Sequence, residues 1–265
     1  MSARVLLGSQ GWVHPAWIGS FYPNGAGEIE MLQRYAAEFS TVEVADTFSG
    51  IPPEPLMKDW NAAVPAGFKF SLRVPQQVTH ERRFVESDRL LQRFLGRADL
   101  LEEKLGPLLM AFPVGFAPNE DTIKTVDRFL QSLPRGFSWV LECRRADWLT
   151  DRFLDVLHRS KVALALVEGR WITRTRMLKL ARTPTADFMY VRLMGQRQLG
   201  DAVSDQLARR RALTTWSTSV DEMLSIVEFV AVYFSDRFDR AAFPRCVCDF
   251  DELLGVASRP PAHRE

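Results

Sequence analysis

The chain has 265 residues, 25% of them charged and 46% hydrophobic. That length fits one large domain or two small ones, and the apolar share excludes wholesale disorder. The 34 Lys+Arg nearly balance the 33 Asp+Glu, leaving a formal charge of +1; this excludes partner choice by bulk charge, so nucleic acid or an anionic membrane would have to be met by a local patch. Arg4-Val5-Leu6-Leu7-Gly8 reads as a first strand closed by glycine. Glu30 to Phe39 places Met31, Leu32, Tyr35, Ala36 and Phe39 at helical spacing. Thr41 to Val44 is a second strand, Pro55 to Ala63 a helix opened by proline, and Phe68 to Leu72 an alternating third strand.

Ser87 is a candidate cap for a long helix from Asp88 to Lys104, with Gly106-Pro107 closing it. Leu108 to Phe112 is wholly apolar and predicts a buried fourth strand. Glu120 to Leu133 predicts a helix, Ser138 to Glu142 a fifth strand, Thr150 to Arg159 a short helix and Val162 to Val167 a sixth strand. The span from Gly169 to Ala186 is long for a connection and is expected to hold irregular helix. Phe188 to Leu193 is the seventh strand, Val220 to Glu228 a helix, Phe229 to Phe234 the eighth strand, and Phe250 to Gly255 the end of a closing helix. Alternating helices and continuous apolar strands imply a parallel sheet covered on both faces. Eight repeats fit a (β/α)₈ TIM barrel, expected as a single domain over 1–257 with a frayed tail at 258–265. The competing doubly wound sheet lacks its phosphate loop, since Gly8-Ser9-Gln10-Gly11 has no spaced third glycine.

Cys143, Cys246 and Cys248 are an odd set and no disulfide framework. Cys246-Val247-Cys248 lacks zinc-ribbon or redox spacing and reads as strand, with both thiols on one face packing into a core. The opening residues have no leader form, and no run reaches the roughly 18 apolar residues of a membrane span. A reducing cytoplasm is the expected compartment. The oligomeric state is open.

In such a barrel the chemistry lies at the C-terminal ends of the strands. There stand Gln10 and Trp12, Glu43 and Asp46, Arg73 and His80, Pro113, Glu142 and Arg144, Glu168 and Arg170, Tyr190 and Arg192, and Ser235 and Asp236. A charge inside an apolar strand is costly to bury unless paired, so Glu43, Glu142 and Arg192 are the informative ones. With Arg73 and Arg144 they suit an anionic, oxygen-rich ligand, because a guanidinium fork binds phosphate and carboxylate best. The competing reading is a buried network whose members only neutralise one another. His80 is read as an acid/base or as a plain loop hydrogen-bonder. His14, beside Trp12 and Trp17, lines the mouth or covers the rim. No metal motif, cofactor motif or Gly-x-Ser-x-Gly elbow is present, although Glu43, Asp46 and Glu142 are a conceivable set for a hard ion. Arg170 to Arg176 interleaves cations with Trp171 as single-strand nucleic-acid grooves do, and Arg209-Arg210-Arg211 adds a second run. A solvated surface helix is the favoured reading of both.

Several spaced motifs resemble one family over nearly the whole chain. They are Gly8-Ser9-Gln10-Gly11-Trp12 with Phe21-Tyr22-Pro23, Thr41 to Phe48, Val74-Pro75 before Thr79-His80, and Leu105-Gly106-Pro107-Leu108-Leu109 with Phe112-Pro113. Leu141-Glu142-Cys143-Arg144 with Trp148, Ala186 to Leu193, and Val232-Tyr233-Phe234 complete the set. Together they resemble DUF72, the YecE-like family of bacteria and archaea. The resemblance implies a TIM barrel and site positions, not a reaction. It also implies departures: the family pattern carries asparagine at Ala45, tyrosine at Ser49, lysine at Arg73, glutamine at Ala111, histidine at Arg145 and Met194, and asparagines at Ser235-Asp236. Losing such hydrogen-bonding groups implies a changed ligand or lost catalysis.

Three functions follow from these readings. The first is an enzyme for a phosphorylated or carboxylated small molecule. Glu43, Glu142 and His80 would be its catalytic residues, and Trp12, Asp46, Arg73, Arg144, Tyr190, Arg192 and Asp236 its ligand-binding residues. The second is a catalytically degenerate binding or scaffold protein on the same barrel. The third is single-stranded nucleic-acid binding.

Overall fold

The strands are short and almost wholly buried, as a sheet sandwiched between its own core and a coat of helices requires. The computed structural model describes residues 4–195, 202–235 and 243–254. Its strands are β1 (Arg4–Gln10), β2 (Thr41–Val44), β3 (Lys69–Arg73), β4 (Leu105–Ala111), β5 (Trp139–Glu142), β6 (Ala163–Glu168), β7 (Phe188–Leu193) and β8 (Phe229–Phe234). All pair in parallel and in chain order, and β1 returns to β8 to close the barrel. The helices α1 (Glu28–Glu38), α2 (Glu54–Ala63), α3 (Asp88–Ala98), α4 (Glu120–Ser132), α5 (Asp151–Arg159), α6 (Arg174–Leu180), α7 (Ala202–Leu224) and α8 (Phe243–Leu254) alternate with them. This is a (β/α)₈ barrel. No helix among the described residues is long and apolar enough to cross a membrane.

Local chemistry sets the helix starts. Asn119 and Thr122 form a reciprocal capping box at α4, and the Thr150 and Thr173 side chains accept from Phe153 N and Arg176 N at α5 and α6. Ser87 does not cap α3 through its side chain, and its buried hydroxyl has no partner. The expected helix from Asp88 to Lys104 ends at Ala98. A 3₁₀ segment follows over Asp99–Lys104, broken at Glu102 with φ 52°. Gly106-Pro107 does not close a helix but lies inside β4, where pairing with β3 shifts register between Phe70 and Leu72. An irregular start of this kind accommodates a proline that cannot donate to the ladder.

The helix expected over Val220 to Glu228 is α7, which starts far earlier and stops at Leu224; Leu213, Trp216, Val220 and Met223 form its buried stripe. Cys246-Val247-Cys248 lies in helix α8, not in a strand, and Cys248 is exposed. Cys143, by contrast, is buried, and burial above all pushes its thiol well above the usual range.

One glycine is required by close approach. A Cβ on Gly8 would lie 1.8 Å from the Thr41 carbonyl oxygen. That contact lets Tyr35 of α1 donate to Thr41 O at 2.9 Å and accept from Ser9 N at 2.7 Å, pinning α1 to β1 and β2. The barrel interior is polar in its middle layers: Thr41 Oγ1 meets the Tyr233 hydroxyl at 2.9 Å, and Ser71 Oγ meets that of Tyr190 at 2.8 Å. Above them, towards the C-terminal ends of the strands, lie the charges.

Candidate functional site

Glu43 on β2, Glu142 on β5 and Arg192 on β7 all point inward and meet across the barrel. Arg192 donates through Nε to Glu43 Oε2 and through Nη2 to Glu43 Oε1, both at 2.8 Å, and its Nη1 donates to Glu142 Oε2. Glu43 also accepts from the Tyr190 hydroxyl and from Gln10 Nε2, each at 2.7 Å. Glu142 accepts from Arg144 Nε at 2.9 Å. Every carboxylate oxygen is thereby occupied, and all three central groups are buried. Burial acts to raise the Glu142 carboxyl, but Arg192, Arg144 and Arg73 outweigh it and hold the group below the usual range. Burial likewise opposes the charge of Arg192, and Glu142 and Glu43 reverse the effect, so its guanidinium is held more firmly protonated than usual. Burial, then the charge of Glu43, keeps the Tyr190 hydroxyl protonated.

Arg73, at the end of β3, differs. It lies over the Phe48 ring at 4.1 Å, its Nε is buried without a partner, and it forms no ion pair among the described residues. Burial pulls it below the usual guanidinium range, with Glu43 and Glu142 opposing, but an arginine keeps its charge. His80 also meets Phe48, edge to face at 4.9 Å. His80 sits in a single π-helical turn, Gln77–Glu81, with Nδ1 2.8 Å from Thr79 Oγ1. Such turns recur at functional sites. The loop beyond it is strained, with Arg83, Phe84 and Glu86 all at positive φ, and is anchored by Phe84 against Phe112 and Phe129. Burial first, then the positive fields of Arg144 and Arg73, depress His80 to about 4 against the pull of Glu142.

The structure thus brings Glu43, Glu142, Arg144, Tyr190 and Arg192 into one cluster, with Arg73 and His80 beside it. Trp12 and Asp46 lie apart, lining a cavity of about 730 Å³ between the ends of β1 and β2 and the helix α2. Trp12 itself is buried, donating to Glu28 O at 3.1 Å. Two departing positions, Ala45 and Ser49, line the same cavity. Asp236 lies outside the described residues, as does the tail 258–265. His14 contacts Gln10 O at 3.1 Å and packs on Trp17. The set proposed for a hard ion is not assembled: Arg192 bridges Glu43 and Glu142, and Asp46 faces the separate cavity. No group of three His, Cys, Asp or Glu among the described residues is placed to share a metal ion.

Sequence reasoning missed Phe48, whose ring seats both Arg73 and His80, and gave Gln10 no role. It also missed a second ionic centre. Buried Glu168 accepts from Arg174 Nε and Nη2 at 2.7 and 2.6 Å and from Trp216 Nε1 at 2.8 Å, tying α6 and α7 to β6. The run from Arg170 to Arg176 is largely committed to the fold: Arg174 to Glu168, Arg176 to Leu149 O at 2.6 Å, and Arg170 over Trp171 at 4.2 Å.

The fold and this mouth define a TIM barrel with an arginine-rich ionic centre. Residues 6–265 match the family described as "Protein of unknown function DUF72", and the chain belongs to that family. The UPF0759 protein YecE of Escherichia coli is 27% identical over 140 residues, covering 53% of this chain and 48% of the relative. The chain spans about half the length of the curated relatives it matches. A DUF72 family protein from Thermotoga maritima superposes with a TM-score of 0.77 at 20% identity, over 96% of this chain and 100% of that one. One from Enterococcus faecalis gives 0.72 at 17% identity, over 98% and 100%. These structures share the fold.

Proposed function

We propose that the barrel mouth binds an anionic small molecule, phosphorylated or carboxylated, through Arg73 and Arg144. The observation that carries this is Arg73: a half-buried guanidinium with an unpartnered Nε and no carboxylate of its own. Glu43 and Glu142 are already engaged by Arg192 and Arg144, so three guanidiniums face two carboxylates and one positive charge is left over. Arg144 uses Nε on Glu142, which leaves its terminal nitrogens for a ligand oxygen. In this reading Glu43, Gln10 and Tyr190 position Arg192, and His80 is the group available for proton transfer beside the anion.

A second reading, binding without turnover, is favoured by two observations. Both carboxylates are buried and fully paired, and His80 titrates near 4, far below the pH at which a general base works best.

A thermal-shift titration with sulfate, phosphate and sugar phosphates tests the anion site. Binding to the native state raises the melting temperature by mass action. The expected result is a rise that is lost in Arg73→Met. No rise with any anion overturns the proposal. Turnover of a phosphate ester that disappears in His80→Gln, with anion binding kept, would decide for catalysis over the second reading.

A further inference from the structure

The cavity beside Trp12 has the opposite electrostatic character to the arginine side of the mouth. Glu28 and Asp46 are the charged side chains that line it, and no lysine, arginine or histidine does. Neither carboxylate forms an ion pair among the described residues. Glu28 stands in the first turn of α1, where the helix terminus favours an acid. Asp46 opens the 3₁₀ turn that follows β2, and it is exposed and lines the cavity. Trp12 and Trp60, edge to face at 5.3 Å, form an indole wall. A wall of that kind lowers the local dielectric and strengthens the pull of nearby carboxylates on a cation.

One turn and one side chain link this cavity to the anion site. The 3₁₀ turn Asp46–Phe48 separates them: Asp46 faces the cavity, and Phe48, two residues on, carries the Arg73 guanidinium on its ring. Gln10 is the second link, for it lines the cavity and donates to Glu43, which Arg192 clasps.

We infer that the ligand is a zwitterion, with its phosphate or carboxylate at Arg73 and Arg144 and an amine in the cavity formed by Asp46, Glu28, Gln10 and Trp12. This rests on the anion-binding reading and adds the ligand class to it. Discrimination comes from charge: a protonated amine finds two carboxylates, whereas a second anion is repelled from this half of the mouth.

Calorimetric titration of the full chain with ω-aminoalkyl phosphates of increasing length, each compared with the ω-hydroxyalkyl phosphate of the same length, tests it. At one length the amino compound is expected to bind about tenfold tighter than its hydroxyl partner, the gain of a charge-assisted hydrogen bond. That advantage is expected to vanish in Asp46→Asn, with sulfate affinity unchanged. Equal affinity of the two series at every length overturns the zwitterion and leaves the anion site standing. An amino advantage that survives Asp46→Asn overturns the placement of the amine. If no phosphate of either series binds, the anion reading fails and this inference falls with it.

Discussion

Arg192 and Arg73 are the same residue type at the ends of two strands of one barrel, yet they are in opposite states. Arg192 is enclosed, with its guanidinium bonded to Glu43 and Glu142 across the interior. Arg73 is half-buried on an aromatic ring, with a buried nitrogen unused. Taking charges out of water is repaid only where geometry and extra hydrogen bonds are both good, and the Arg192 cluster has both. The difference shows that a charge at a barrel mouth is available to a ligand according to its pairing, not its position. The Glu43–Arg192–Glu142 cluster is buried and paired as part of the core, whereas Arg73 beside His80 is a cation with no carboxylate of its own among the described residues.

Breaking the closed side should have the largest effect. Arg192→Met leaves two buried carboxylates facing each other, and a loss of about 3–5 kcal/mol in urea unfolding is expected. Unchanged stability would mean that the cluster is solvated and not core. Tyr190→Phe removes the hydroxyl that donates to Glu43 at 2.7 Å and leaves Ser71 Oγ without that partner. A smaller loss, about 1.5–3 kcal/mol, is expected from a bond to a charged group. Arg73→Met sharpens the contrast from the other side. It forfeits a cation–π contact and no ion pair, so a change of about 1 kcal/mol or less is expected while anion binding disappears. A loss as large as that of Arg192→Met would show that Arg73 is structural too.

The sequence made this cluster visible in part. Glu43, Glu142 and Arg192 stood out because each interrupts an apolar strand, and β7 and β8 were legible to the residue because Phe188–Leu193 is apolar but for Arg192 and Phe229–Phe234 is apolar throughout. The pairing was not legible, since Arg192 lies 149 residues from Glu43 and 50 from Glu142, and only closure of the barrel sets which charges face each other. Phe48 gave no signal, because its role comes from the Arg73 and His80 side chains that the fold brings to its ring. The start of β4 was hidden by Gly106-Pro107, which reads locally as a stop and is overridden by pairing with β3. The long α7 was hidden by Arg209-Arg210-Arg211, which masks the spacing of Trp216, Val220 and Met223.

The smallest effect is expected in how His80 alters anion binding, and it reports on both sides of the comparison. Its folded pKa of about 4 lies below the ordinary 6.5, so between those values the unfolded chain holds a proton that the native protein does not. Stability therefore falls as pH drops through 6.5 towards 4, and in His80→Gln that part of the decline is expected to flatten. Burial is the largest cause of the depression, and the fields of Arg144 and Arg73 come next. An anion held by those two arginines offsets their field and raises His80, so binding takes up a fraction of a proton. Sulfate, whose own charge is fixed across this range, should then bind more tightly at pH 5 than at pH 7, by less than about tenfold, since one pKa unit corresponds to tenfold. The pH dependence should disappear in His80→Gln. A His80 proton resonance whose titration is unmoved by saturating sulfate would place the anion away from Phe48 and its two neighbours, and Arg73 would then be a charge held by the barrel for its own sake.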